Sequence, residues 1–195
     1  MSVFAQIRRR FARPPEPVRT VVAAGPDPDE RVLAWGSLAR DEGWLVATSR
    51  GLRIVPTEVT SVADVEVLPW HEVAHAQWSA AADGGGSFRV TPLVEVEPGV
   101  QARQPERRYV LTDAGDLPSV VRRRVDQTVV ASQRSPLPGG GGVLLVARRI
   151  PGQAEREWTV VFDDDAQRSD PAAREAARQK LAEAVAGDQP PEAGQ

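Results

Sequence analysis

Residues 68–82 read LPWHEVAHAQWSAAA and hold both histidines and two of the five tryptophans of the 195-residue chain. Within them His71-Glu72-Val73-Ala74-His75 matches the H-E-x-x-H pattern of zinc peptidases. As a helix begun at Pro69, with Trp70, Val73, Trp78 and Ala81 on its apolar face, the stretch would set His71 and His75 one turn apart. Glu72 would then be the general base on a zinc-bound water. As a strand it puts Trp70, Glu72, Ala74, Ala76 and Trp78 on one face and His71, Val73, His75 and Gln77 on the other. The histidines are then about 13 Å apart, too far to share a metal. The strand is the reading adopted. A zincin needs a third ligand, the chain has no third histidine, and the acids Glu95 and Glu97 sit in a strand-like run, not on a following helix. No catalytic, cofactor or metal residue is assigned, and the chain is expected not to be an enzyme.

Outward from this stretch the pattern is β-rich. Before it, Gly43–Thr48 and Leu52–Pro56 flank the turn Ser49-Arg50-Gly51 and read as a hairpin. Val32–Trp35 and Val65–Pro69 are further strands, and Val18–Glu30 reads as a weak strand followed by a turn cluster. After it come strands at Ser87–Thr91, Leu93–Glu97 and Arg108–Thr112, with a polar loop over 98–105. Asp116-Leu117-Pro118 opens a helix as cap plus first-turn proline, with Leu117, Val121 and Val125 as its stripe and Arg122, Arg123 and Arg124 on its solvent side. A strand at 127–134, a hairpin of Val143–Ile150 and Glu157–Phe162, and a helix begun at Asp170-Pro171 follow. Ala173, Ala177, Leu181 and Ala184 line that last helix, and Gly187 ends it. An α-β-β-β-α unit over 116–186 is an alternative parse.

From about 30 to 132 the order is thus seven short strands and a helix. The segments GWLVATSRGLRIVP, LPWHEVAHAQW, SFRV, RRYVLTD and LPSVVRRRVDQTV in that order resemble the pleckstrin-homology-like domains of bacteria. Their hairpin of the type Val-Ala-Thr-Ser-Arg-Gly-Leu precedes a Trp-x-x-Val strand, here Trp70-His71-Glu72-Val73. LPSVVRRRVDQTVVASQRSPLPGGGGVLLVARRIPG is also similar to a set of uncharacterised proteins of high-GC Gram-positive bacteria, a likeness that carries no function with it. The resemblance implies an α+β fold, a pleckstrin-homology-like split β-barrel followed by a helix, with a C-terminal β-hairpin plus helix. The first hairpin loop, Gly36 to Gly43, holds Arg40 against Asp41 and Glu42, so no phosphoinositide pocket is carried over. The expected division is a basic arm and linker (1–27), the barrel domain (28–132), the hairpin and helix packing on it (133–187), and a disordered tail (188–195).

Composition narrows the function. There is no cysteine, hence no disulfide, thiolate nucleophile or cysteine metal site. No apolar run is long enough to span a bilayer as a helix. Arg8, Arg9 and Arg10 are followed by Phe11-Ala12-Arg13-Pro14-Pro15 instead of an apolar stretch, so no secretory signal is read and the chain is expected in the cytoplasm. Net charge is −3, but residues 1–20 carry +4, which leaves an acidic body of −7 and argues against nucleic acid as partner. In the arm, Phe4, Ile7 and Phe11 form one stripe of a short helix with Arg8, Arg9, Arg10 and Arg13 around it, stopped by Pro14-Pro15-Glu16-Pro17, read as an extended linker. That pattern suits contact with an anionic membrane surface at the inner face.

Other candidates have plainer readings. Gly139–Gly142 is a turn without the Lys-Ser/Thr ending of a phosphate loop, and Asp163-Asp164-Asp165 is a solvated loop. Arg148-Arg149 and Arg122–Arg124 are exposed faces. The favoured function is a non-catalytic binding or scaffolding module for a protein partner of unknown identity, without cofactor. Peripheral membrane association through the arm is the runner-up, and an H-E-x-x-H zinc hydrolase the third.

Overall fold

A computed structural model describes residues 13–61, 65–82 and 85–188. In chain order the elements are α1 (Glu16–Ala23), β1 (Val32–Leu38), β2 (Trp44–Thr48), β3 (Gly51–Val55), β4 (Glu66–Pro69), β5 (Val73–Ala80), β6 (Gly86–Glu97), β7 (Val100–Arg103), β8 (Arg107–Asp113), α2 (Leu117–Thr128), β9 (Val129–Pro136), β10 (Gly142–Arg149), β11 (Arg156–Phe162), α3 (Asp165–Ser169) and α4 (Pro171–Asp188). The protein is α+β, its strands mostly antiparallel, and the sheet does not close. Among the described residues no helix is long and apolar enough to cross a membrane. The chain forms two compact units. The first runs to Pro92 and resumes over Pro105–Asp126; the second takes Leu93–Gln104 and the chain from Gln127.

In the first unit the strand order is β4-β3-β2-β1-β8-β6-β5, all antiparallel. β1 turns from β2 onto β8 through an irregular register at Ser37 and Leu38. Gly36 permits this turn: a Cβ there would stand 2.4 Å from Leu111 and 2.8 Å from the Asp113 carbonyl. The inner core gathers Leu45, Ala47, Leu52, Leu68, Trp70, Val73, Phe88, Val90 and Leu111, and α2 closes it with Leu117, Val120 and Val121. Burying each such side chain contributes about 1.5–3 kcal/mol.

A second core lies on the outer face of β2 and β3. Residues expected as an extended linker and a weak strand instead form α1, with Pro17 in its first turn, where a missing N–H costs nothing. Val18, Val21 and Val22 fall at i, i+3 and i+4, and all three are buried. Val18 and Val21 pack against Val46, Val55 and Val65, with Trp35 and Trp44 at the margin. Both faces of β2 and β3 are thus covered, and Leu45 through Thr48 are buried without alternation.

A polar node sits beside this second core. Arg53 Nε donates to Glu30 Oε1 at 2.9 Å and Arg53 Nη2 to Oε2 at 2.5 Å. Thr48 Oγ1 donates to Glu30 Oε1 at 2.6 Å and accepts the Arg50 and Gly51 backbone N–H groups at 3.1 Å each. All three side chains are buried.

In the second unit β9, β10 and β11 form a meander, β11 runs parallel to β7 (Val160 beside Val100), and β7 pairs with the last residues of β6. The expected polar loop over 98–105 is therefore a correction: Val100–Arg103 is a strand, with Gln101 accepting from Thr159 Oγ1 at 3.2 Å in a buried position. The two strands expected at 87–97 are one, continuous through Pro92. α4 lays Ala173, Ala177, Leu181 and Ala184 on Val100, Leu145, Val160 and Phe162, the stripe read from the sequence. Its cap is Asp170, whose carboxylate accepts from the N–H groups of Ala172 and Ala173. Gly187 does not end the helix. α4 continues to Asp188, whose carboxylate receives Arg156 and, at 2.9 Å, Trp158 Nε1. Asp163-Asp164-Asp165 is partly helical: Asp164 caps α3 through the Gln167 N–H, and Asp163 pairs with Arg134. Arg148 is buried, against the exposed reading, and burial draws its pKa below the usual arginine range.

The node yields a stability test. Burial alone would raise the Glu30 carboxyl, but the hydrogen bonds from Arg53 and Thr48 and the arginine charge outweigh it and hold its pKa below the ordinary 4.5. A depressed carboxylate stabilises the fold above its unfolded pKa, and that contribution disappears as pH falls from about 4.5 through the folded value. Glu30→Gln, which leaves a buried arginine short of its counter-charge, is expected to cost about 3–5 kcal/mol at neutral pH. Its loss of stability on acidification should also be shallower than that of the parent, by urea unfolding across the acid range.

Candidate functional site

The decisive stretch folds as a strand, a corner and a second strand. β4 ends at Pro69, Trp70–Glu72 makes a single 3-10 turn, and β5 begins at Val73. The corner is held from the β2–β3 turn: the Trp70 indole N–H donates to the Thr48 carbonyl at 2.9 Å, and the Trp70 backbone N–H to the Arg50 carbonyl at 3.2 Å. Trp70 is thereby drawn into the inner core.

The turn resets the side-chain alternation. Trp70 and Val73, expected on opposite faces, are both buried. The pairing of β5 with β6 then slips between Val73 and His75, so that Val73 faces Pro92 and His75 faces Thr91, a β-bulge at Ala74. From there Ala76 and Trp78 face the core, while His75, Gln77 and Ser79 are exposed. His71 lies in the corner, its Nε2 3.8 Å from Glu72 Oε1, and His75 lies beyond the bulge on the outer face. The helical turn that the H-E-x-x-H chemistry needs is not formed. Among the described residues no group of three or more histidines and acids is placed to hold a metal.

What the corner does create is an edge. β5 pairs with β6 on one side, and among the described residues no strand pairs with its other side. Its eight residues, Val73–Ala80, carry no Asp, Glu, Lys or Arg. An unpaired edge of this length without charge or proline is a template for a further strand. The edge at the other end of the unit's sheet is blunted: β4 has four residues, begins at Glu66 and ends at Pro69. In the second unit β9 is also an edge, but it carries Arg134, paired with Asp163, and closes on Pro136.

The inner side of the edge is aromatic. The Trp78 and Phe88 rings lie 4.8 Å apart and tilted at 47°. Half-buried Tyr109 and Ile54 also border this core, and burial pushes the Tyr109 phenol up. Arg107 of β8 pairs with Glu66 of β4, linking strands between which no ladder runs among the described residues. Gly86 lies under the Trp78 ring: a Cβ there would meet the Ser79 carbonyl at 2.4 Å and the ring at 2.5 Å.

On the outer side, sequence reading missed one constellation. Gln77 of β5 stands beside Arg89 of β6, and Arg89 directly beside Arg108 of β8. All three are exposed. The alternation of SFRVT and RRYVLT carried the signal, since Phe88, Val90, Tyr109 and Leu111 inward put Arg89 and Arg108 outward. Their direct opposition needed the register. Of the arm residues, Arg13 is exposed ahead of α1. Phe4, Ile7, Arg8, Arg9, Arg10 and Phe11 lie outside the described residues.

Comparison of the chain with protein-family models, curated proteins and solved structures finds no match.

The packing of Trp78 on Gly86 predicts that Gly86→Ala costs about 1–3 kcal/mol, as overpacking does. Tryptophan emission should shift with it; unchanged stability and emission would show that the ring does not hold the edge.

Proposed function

We propose that the first unit is a pleckstrin-homology-like split barrel acting as a non-catalytic binding module, which takes an extended segment of a partner protein along β5. Seven antiparallel strands followed by a helix, with the sheet open between β4 and β5, support the fold reading. The observation that carries the function is the uncharged outer side of β5 from Ala74 to Ala80, with which no strand pairs among the described residues. Main-chain hydrogen bonds along such an edge supply affinity, and alternate side chains of the guest meet the two faces of the sheet. On the inner face they meet half-buried Trp78, on the outer face Gln77 and the arginine row.

The corner gives this edge its rigidity. Trp70 ties the start of β5 to the β2–β3 turn, so the strand is ordered before a guest arrives, and less conformational entropy is lost on binding.

Peptides selected from a random library on the full chain provide the test. With such a peptide bound, amide hydrogen exchange over residues 73–80 is expected to slow by about tenfold or more, with smaller changes along β9. Peptides that leave these amides unaffected, or protect β9 instead, would put the binding surface elsewhere.

A further inference from the structure

Arg89 and Arg108 occupy directly opposed positions on neighbouring strands, where like charges repel. Both are exposed, and among the described residues neither forms an ion pair or a side-chain hydrogen bond. Glu106, exposed and two residues before Arg108, pairs with neither. The rest of the chain beyond residue 20 is net acidic, so this is a local concentration of positive charge on an otherwise negative body. It stands one strand away from the free edge, with the neutral Gln77 between.

We propose that the segment added along β5 is acidic, with a carboxylate side chain beside Gln77 that is held by Arg89. This rests on the edge reading above. Strands are spaced about 4.8 Å apart, so a guest strand beside β5 lies about 10 Å from β6. An arginine side chain extends about 6–7 Å by ordinary bond lengths, and a glutamate on the guest covers the remainder. Arg89 therefore reaches over Gln77 to the guest and forms a charge-assisted, two-pronged hydrogen bond with its carboxylate. Arg108 is one strand spacing too far for that contact. It acts through its field: its repulsion turns Arg89 away from β8 and toward the edge, and it raises the local positive potential seen by an approaching acid. The opposed arginines, unfavourable in the free protein, are relieved by the guest's charge.

The probes are two labelled peptides of equal length, alternating threonine with glutamate in one and threonine with glutamine in the other. Each is titrated into the full chain and into Arg89→Glu, with hydrogen exchange over 73–80 measured at saturation. Arg89→Glu places an acid opposite Arg108, so it is expected to fold and to melt no lower than the parent. The glutamate peptide is expected to bind the parent about tenfold more tightly than the glutamine peptide at low salt. That gap should shrink at high salt, and the preference should vanish or reverse in Arg89→Glu, while β5 amides are protected. Equal binding of both peptides with protection of β5 would overturn the acidic preference and leave the edge reading intact. Binding of the glutamate peptide that depends on Arg89 but leaves β5 exchange unchanged would overturn the edge reading and this inference with it. Failure of both peptides to bind would overturn both.

Discussion

The first unit depends on a buried charge pair that is acceptable only because every part of it is satisfied. Arg53 meets Glu30 with two hydrogen bonds, and Thr48 supplies a third to the same carboxylate. Taking either charge out of water alone is costly, so the pair constrains position more than it adds stability. What it constrains is the segment between α1 and β1, which Glu30 fastens to Thr48 of β2 and Arg53 of β3. The same Thr48 offers its carbonyl to the Trp70 indole. Thr48, the last residue of β2, thus fastens the segment after α1 on one side and the β4–β5 corner on the other.

That corner explains why a motif with a familiar spelling carries different physics here. H-E-x-x-H chemistry needs a helix to stack its histidines. In this chain Pro69 and the buried Trp70 demand a tight turn, and the bulge at Ala74 then rotates the rest of β5. The histidines go to a half-buried corner and an exposed face. The product of the two local distortions is a strand with one side committed to the core and one edge left over.

Much of the fold is legible where local chemistry decides. The β2–β3 hairpin, the cap at Asp170, the start of α2 at Leu117 and the alanine stripe of α4 follow from turn residues, first-turn prolines and spacing. α1 escapes such a reading because three valines and three prolines suggest extended chain, although Val18, Val21 and Val22 have helical spacing. A second signal is present: Trp44-Leu45-Val46-Ala47 has no polar face, which calls for cover on both sides. β7 is illegible because its partner β11 lies far along the chain, and four residues with two apolar ones form no pattern alone. At the edge, the outward-facing residues are readable over β6, β8 and most of β5, where His75 and Gln77 lie on the face opposite Ala76 and Trp78. The start of β5 is not, since Val73 joins Trp70 in the core. There the turn and the bulge each shift the alternation, and neither has a sequence signature.

β6 has a role in both units: its first residues pair in one ladder and its last in another, with Pro92 between them. During synthesis this imposes a schedule. The first unit has all its strands once β8 has emerged and its helix α2 soon after. The hairpin of residues 93–104 must wait with its outer strand unmatched until β11 has been made. Pairing between such distant segments is slow. The nascent chain therefore passes through an interval in which every strand of one unit has been made while a short hairpin still lacks its partner, an order of events built into the path of a single strand.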